Sequence, residues 1–432
     1  MSARFHLGWF LNFVAEAWNE PLTSPSATDW SGAFYIDVAR QLDRAGFDYM
    51  ILEDKSMISD SYGGTSEIDL KHAIAPKHDP MPLVPLLAQA TTHLGIVATM
   101  STTFYPPFLL ARLSATVDHL TGGRFGWNVV TSGEDRAAQN YGMEHLPDHD
   151  LRYEMADEYV ELVTQLWDSW DPDAVVMNRD TGVYADYTRV HAVNFEGRYF
   201  NCRGPLNVVR PPQGHPVICQ AGGSPRGRNF AARVADTVIA TATTAEQMRG
   251  FRSDIRARMV AQGRKPDDCK VLFLVSPVVA ETEEEARSKK ARITADPGYV
   301  EATLAAMASW TDIDFSAFDL DSPLPEVSTN GGQTSLAKFA QHGSGRTLRE
   351  LALGGVNDSV DFVGTPEQVA DRMEGVMDTV GGDGFLIARP GLHLTRQYVD
   401  EITEGLVPVL QRRGLTRTSY SFKHFRDNLL EF

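Results

Sequence analysis

Cysteine is scarce. Cys202, Cys219 and Cys269 are the only three in 432 residues. An odd, widely spaced set supports neither a disulfide framework nor a zinc site, and it fits a reducing cytoplasm. Positive charge is also in deficit. Lys and Arg number 40 against 57 Asp and Glu, a formal charge of −17. No long basic run offsets this, which argues against nucleic acid as a partner. No apolar run reaches the ~18 residues of a membrane span. The opening residues, MSARFHLGWF, lack the apolar core and cleavage site of a signal peptide. A cytoplasmic protein is expected. Nucleophile signatures are missing too: there is no G-x-S-x-G elbow and no H-E-x-x-H. No G-x-G-x-x-G follows the first strand, so a Rossmann nicotinamide site is not indicated. His72 and His78 lie in a Pro- and Lys-bearing loop, and His145 and His149 precede a helix beside Asp148 and Asp150. Asp capping of a helix entry explains the second group better than a metal does. No metal is expected.

What is present is alternation. Apolar runs at Phe5–Phe10, Tyr49–Leu52, Leu94–Met100, Phe125–Val130, Val217–Cys219, Thr237–Ala240, Val271–Val278 and Gly384–Ala388 read as eight strands. Helical spacing separates them, over Gly32–Ala45, Pro82–Thr91, Pro106–Leu120, Arg152–Leu166, 245–261, 282–292 and Tyr398–Arg412. Thr365-Pro366-Glu367 opens a further helix with a capping pattern. Strand and helix alternating eight times predict an α/β fold, a TIM (β/α)8 barrel. The chain reads as one domain over 1–432 with two insertions, about 171–205 and about 293–345. The second is the longest irregular region, and such length suggests a lid.

The stretch HPVICQAGGSPRGRNFAARVAD at 215–236 is the most informative. A short buried strand runs into Gly222 and Gly223. Ser224 then suits an N-cap and Pro225 the first helical position. A helix start offers free N–H groups and partial positive charge, and Arg226 and Arg228 add full charges nearby. Such a loop suits a phosphate. The same residues also suit an ordinary strand–helix connection that needs glycine to turn. In a TIM barrel the active site lies at the carboxyl ends of the strands. Those ends carry Glu53–Asp54, then Thr99, Ser101, Thr102 and Thr103, then Asn128, Thr131 and Ser132. These groups orient a polar cofactor better than they attack a substrate, although each could simply cap a loop. A phosphorylated cofactor that carries its own chemistry fits the pattern.

Three stretches carry a resemblance: TTFYPPFLLARLSATVDHLTGGRFGWNVVTS at 102–132, RGPLNVVRPPQGHPVICQAGGSPRGRNFAA at 203–232 and GTPEQVADRM at 364–373. They resemble the bacterial luciferase-like flavin monooxygenases. The nearest branch holds the nitrilotriacetate, dibenzothiophene-sulfone, pristinamycin-synthase and long-chain-alkane monooxygenases. The match runs in order from about residue 5 to 430. The resemblance implies a two-component enzyme. Reduced FMN, bound non-covalently, comes from a separate NAD(P)H:flavin reductase. O2 adds to it as a flavin C4a-(hydro)peroxide, which oxidises a small organosulfur, amine or alkane substrate. By motif, Ser224 and the Gly223 backbone hold the FMN phosphate and Tyr153 donates to it, with His149 close by. Thr99 and Asp54 contact the flavin ring side, and Asn128 stands beside the ring. Relatives often carry a His shortly before the Trp of the first loop and an Arg after it. Here Val14 precedes Trp18 and Asn19 follows it, so no catalytic base is named. Leu11, Phe13, Val14, Trp18 and Met57 suggest an apolar substrate wall, and a packed loop reads equally well. A homo-oligomer is expected. Two alternatives share the barrel: a deazaflavin-dependent oxidoreductase, and a non-catalytic flavin-binding protein.

Overall fold

The computed structural model describes residues 4–16, 18, 30–341, 345–355 and 359–432. Eight parallel strands close a barrel: β1 His6–Asn12, β2 Tyr49–Glu53, β3 Gly95–Ser101, β4 Phe125–Val130, β5 Val217–Gln220, β6 Thr237–Ala240, β7 Lys270–Val275 and β8 Gly384–Ile387. They pair in sequence order, and β8 closes on β1 with His6 opposite Gly384 and Trp9 opposite Ile387. Parallel strands buried on both faces read as continuous apolar runs, which is why each was visible in the sequence. β7 is shorter than the run suggests. Pro277 follows Ser276 and has no N–H for the ladder. Val278–Val279 leaves the barrel and pairs with Val363–Gly364 instead.

The barrel interior holds Tyr49, Ile51, Val97, Val217, Cys219, Leu272 and Leu386. A larger core lies between the strands and their helices. Those helices are α1 Ala33–Ala45, α2 Leu83–Ala90, α3 Pro107–Leu120, α4 His149–Trp167, α5 Pro225–Val234, α6 Ala245–Ala261 and, before β8, one at Pro366–Val380. The last is capped by Thr365, whose hydroxyl accepts from Gln368 N–H while the Gln368 side chain returns to Thr365 N–H. α4 starts at His149 rather than Arg152, because Asp148 ends the preceding loop as N-cap. The final helical stretch passes from Arg396–Asp400 through a π-helical Glu401–Leu406 to Val407–Arg412.

Two excursions leave the barrel at opposite ends. Residues 171–205 leave after the carboxyl end of α4 and return before β5, at the bottom. They form two small antiparallel hairpins, Val175–Asn178 with Val183–Ala185 and Phe195–Glu196 with Asn201–Cys202. The other departs after β7, at the top. The 293–345 stretch is not irregular as expected. It carries helices at Tyr299–Thr311 and Gln333–Gln341, and residues 342–344 lie outside the described residues. With Leu348–Gly354 these helices enclose a core of their own, centred on Leu304, Met307, Phe315, Phe339 and Leu351. Among the described residues no helix is long and apolar enough to cross a membrane.

Candidate active site

Two helices begin at one spot on the top of the barrel. Ser224 caps α5, and its Oγ accepts from the Gly227 N–H at 3.0 Å. His149 opens α4, with Nε2 3.4 Å from Ser224 Oγ and Nδ1 2.8 Å from Asp150 Oδ1. Tyr153, one turn later, turns its hydroxyl to the same place. A Cβ on Gly227 would stand 2.8 Å from that oxygen, so only glycine allows the approach. Gln220 donates to the Tyr153 hydroxyl at 3.4 Å and accepts from the Gly222 N–H at 2.7 Å. Burial pushes the Tyr153 phenol above its usual range, so it stays a neutral donor. A hydroxyl, an imidazole, a phenol and two helix starts thus converge. This donor set suits an oxyanion such as a phosphate.

Arg226 and Arg228 do not supply free charge there. Arg226 pairs with Asp157. Arg228 donates to the Gly223 carbonyl at 2.9 Å and to Asp254 at 3.1 Å. The upper excursion covers the spot instead. Asn330 Oδ1 accepts from the His149 N–H at 3.0 Å, and Arg152 donates to the Asn330 carbonyl at 2.9 Å. A Cβ on Gly223 would come within 2.4 Å of Thr334 Cγ2.

The barrel mouth follows strand parity. Ile51 and Val97 face the axis, so Glu53, Thr99 and Ser101 do as well. Thr99 and Asn128 are register partners, and Asn128 Nδ2 donates to Thr99 Oγ1 at 2.9 Å. The Asn128 Oδ1 atom is buried with no partner. Such an acceptor costs about 1–3 kcal/mol until a donor reaches it. Just beyond β2, burial and the Glu53 charge push Asp54 up to about 7. Burial also works to raise Glu53, but the Lys77 and Lys55 charges hold it below the usual carboxylate range.

Several neighbours carried no sequence signal. Lys55 donates to Ser309 Oγ at 2.6 Å and lies over the Trp310 ring at 5.6 Å, tying β2 to the upper excursion. Burial pulls its ammonium down to about 8. Arg389, after β8, donates to Asn12 Oδ1 at 2.9 Å and so joins the two strands that close the barrel.

The five residues read as a substrate wall do not converge. Leu11 shares the outward side of β1 with Leu7 and Trp9, among the residues packed on the helices. Phe10 instead packs on the barrel interior. Phe13 sits within 5.0 Å of the Tyr35 ring and 5.3 Å of the His78 ring. Val14 is fixed by its N–H and carbonyl to the Tyr35 hydroxyl at 3.0 and 2.5 Å. Met57 is buried in the loop after β2. Trp18 is exposed and lines a separate cavity beside β8. Asn19 lies outside the described residues. His145 bonds Asp135 at 3.0 Å and His78 stacks on Trp30 at 4.0 Å. Among the described residues no three His, Cys, Asp or Glu side chains gather as a metal site.

Residues 6–383 match the luciferase-like monooxygenase family. The chain belongs to this family. It is a flavin-dependent monooxygenase. The dibenzothiophene-sulfone monooxygenase of Rhodococcus erythropolis is 40% identical over 425 residues, covering 96% of this chain and 92% of its own. The N-acetyl-S-(2-succino)cysteine monooxygenase of Bacillus subtilis (strain 168) is 36% identical over 420 residues, covering 95% and 92%. Among solved structures, a riboflavin lyase with modified FMN and riboflavin superposes with a TM-score of 0.90 at 33% identity, covering 99% of this chain and 96% of that one. The barrel and its upper excursion are therefore those of a luciferase-like monooxygenase.

Proposed function

We propose that this luciferase-like monooxygenase binds reduced FMN non-covalently, takes it from a separate NAD(P)H:flavin reductase and uses O2 to oxidise a small organosulfur compound. The convergence of Ser224, His149 and Tyr153 on two helix starts carries the reading, because it suits the FMN phosphate. The two relatives compared above, whose names specify organosulfur substrates, support the substrate class.

Bound flavin supplies the oxygen activation. Ser224, the Gly223 backbone and Tyr153 hold the phosphate, with His149 beside them. Asn128, held by Thr99, would present its orphaned carbonyl toward the flavin ring, and Asp54 would stand on the ring side. The upper excursion keeps water out. No side chain of the mouth is assigned as a base.

Ser224→Ala removes a charge-assisted hydrogen bond worth about 1.5–3 kcal/mol, or about 10- to 100-fold in FMN affinity. Tyr153→Phe weakens FMN but leaves riboflavin, which has no phosphate, nearly unaffected. A flavin titration reads both. The purified chain does not consume NADH, even with FMN added. An unrelated flavin reductase starts transfer of 18-O from 18-O2 into an organosulfur substrate, read by mass spectrometry. Rapid NADH oxidation by the isolated chain would overturn the assignment to a two-component system.

A further inference from the structure

His149 and Asp150 do something that the other members of the donor cluster cannot. His149 Nδ1 lies 2.8 Å from Asp150 Oδ1. A carboxylate only accepts, so Nδ1 carries the ring proton. In a neutral ring Nε2 is then a bare acceptor, and it faces Ser224 Oγ at 3.4 Å. That oxygen already accepts from the Gly227 N–H at 3.0 Å, which leaves the Ser224 O–H to donate to Nε2. The two side chains are spent on each other, and neither has a hydrogen for an incoming anion. The charges nearby are committed as well. Arg226 is paired with Asp157 and Arg228 with Asp254. Arg152 gives its Nη groups to the Pro147 and Asn330 carbonyls at 2.6 and 2.9 Å. From the upper excursion, Asn330 Oδ1 takes the His149 N–H, and within α4 the Tyr153 ring packs edge-on against the imidazole at 5.1 Å. Asp148, the N-cap, and Asp150 are the acids beside His149 on its own helix. Among these groups only the imidazole can become positive.

We propose that the site takes up one proton at His149 Nε2 when a phosphate monoester binds, and that Asp150 is the positioning residue that holds the imidazolium so formed. This rests on the flavin reading above and makes the hold on the phosphate proton-dependent. Water supplies the proton, which bonds to the Nε2 lone pair, and the ring gains one positive charge. One proton makes two donors. The new Nε2–H turns to one phosphate oxygen. The Ser224 O–H, no longer held by Nε2, turns to another. Asp150 is exposed, so it serves as counter-ion to the ring without losing its own hydration. The sign follows from linkage. A ligand that binds together with a proton binds less tightly as pH rises, and it raises the proton affinity of the site by the same factor.

The test is calorimetric titration of the full chain with oxidised FMN at pH 8, in two buffers of different ionisation enthalpy, which counts protons. A phosphate monoester has its second pKa at about 6, so in water it is already a dianion at that pH. The wild type takes up close to one proton per FMN, and its FMN affinity falls about 3- to 10-fold between pH 7 and pH 8. Riboflavin, which has no phosphate, binds without uptake. His149→Gln puts an amide in place of the imidazole, and an amide donates without titrating. That variant still binds FMN, with no proton uptake and an affinity that is flat over the same range. Asp150→Asn matches the wild type at pH 6 and binds FMN about 3- to 10-fold more weakly at pH 8, where the ring lacks its counter-ion. A merely structural Asp150 would weaken FMN equally at both pH values. No uptake by the wild type, the same uptake with riboflavin, or full uptake persisting in His149→Gln would each overturn the assignment. FMN binding without uptake would sink this inference and leave the flavin reading standing. Failure of FMN to bind in either redox state would sink both.

Discussion

The two excursions are of similar kind in the sequence and opposite in the fold. The lower one, 171–205, is held from outside. Glu158 of α4 accepts the N–H groups of Arg198, Tyr199 and Phe200 at 2.9, 2.8 and 2.7 Å. Trp170 donates to the Leu206 carbonyl at 2.7 Å. Part of its apolar surface faces water, with Met177 66% exposed and Tyr187 86%, while Val193, Phe195 and Phe200 lean on the main core. The upper one is held from inside, around the fully buried Leu304 and Phe315. It also reaches the site through Lys55, His149 and Gly223. A segment that must cover a reaction centre has to be rigid by itself, and a core provides that. A segment at the bottom of the barrel has no such duty, and ties to α4 and to the barrel's outer core hold it in place of a core of its own.

The largest test of this contrast is Phe315→Ala. Loss of a fully buried aromatic costs about 3–5 kcal/mol. The upper excursion should melt before the barrel in a thermal scan. Reductase-driven turnover should shift from product toward hydrogen peroxide. One cooperative transition with unchanged coupling would mean that the upper core is not independent. Glu158→Gln probes the other end. Weaker acceptance of three N–H groups costs about 1–2 kcal/mol at this half-buried position. Proteolysis should then cut within 171–205 while FMN affinity stays at wild type. A loss of FMN binding would merge the two regions into one unit.

A smaller effect separates the faces by charge. Asp54 titrates at about 7 in the fold against an ordinary value of 3.8. Between those values the folded chain keeps a proton that the unfolded chain has lost, so stability falls as pH rises through that window. Asp54→Asn removes this loss. Its melting temperature should exceed that of the wild type at pH 8, with the gap closing toward pH 4. An equal gap at both pH values would refute the raised titration. The smallest effect belongs to the lower hairpin. Tyr187→Ser should change neither melting temperature nor FMN affinity. A drop in either would give the lower excursion a role in holding the barrel.

The barrel was legible because buried parallel strands announce themselves as apolar runs between turns. Six of the eight strands agree to within a residue at each end, and β7 overran only where Pro277 stops the ladder. The helix at Tyr299–Thr311 was missed for a definite reason. Its sequence, YVEATLAAMASWT, is rich in Ala, which weighs little in a periodicity count, and Pro297-Gly298 looked like a breaker when Gly298 is the N-cap. The donor cluster around Ser224 was legible because the Gly222-Gly223-Ser224 turn and its helix lie in one motif. Asn330, Thr334 and Lys55 were not, since they reach the site from distant segments with no motif of their own. Leu11 shows a finer limit. Leu7, Trp9 and Leu11 alternate with His6, Gly8, Phe10 and Asn12, and the apolar side of this strand is the one packed on the helices, so Leu11 turns away from the barrel mouth.

The pairing of Arg226 with Asp157 and of Arg228 with Asp254 bears on traffic between proteins. With both guanidiniums already neutralised, the loop would meet the FMN phosphate of the proposed function with dipoles and neutral donors, and these release few counterions when a ligand lands. Affinity built that way responds weakly to ionic strength and lacks the deep electrostatic well that two free arginines would make. A carrier that must be loaded by one protein, used by another and handed back spent is best served by a berth with a shallow hold.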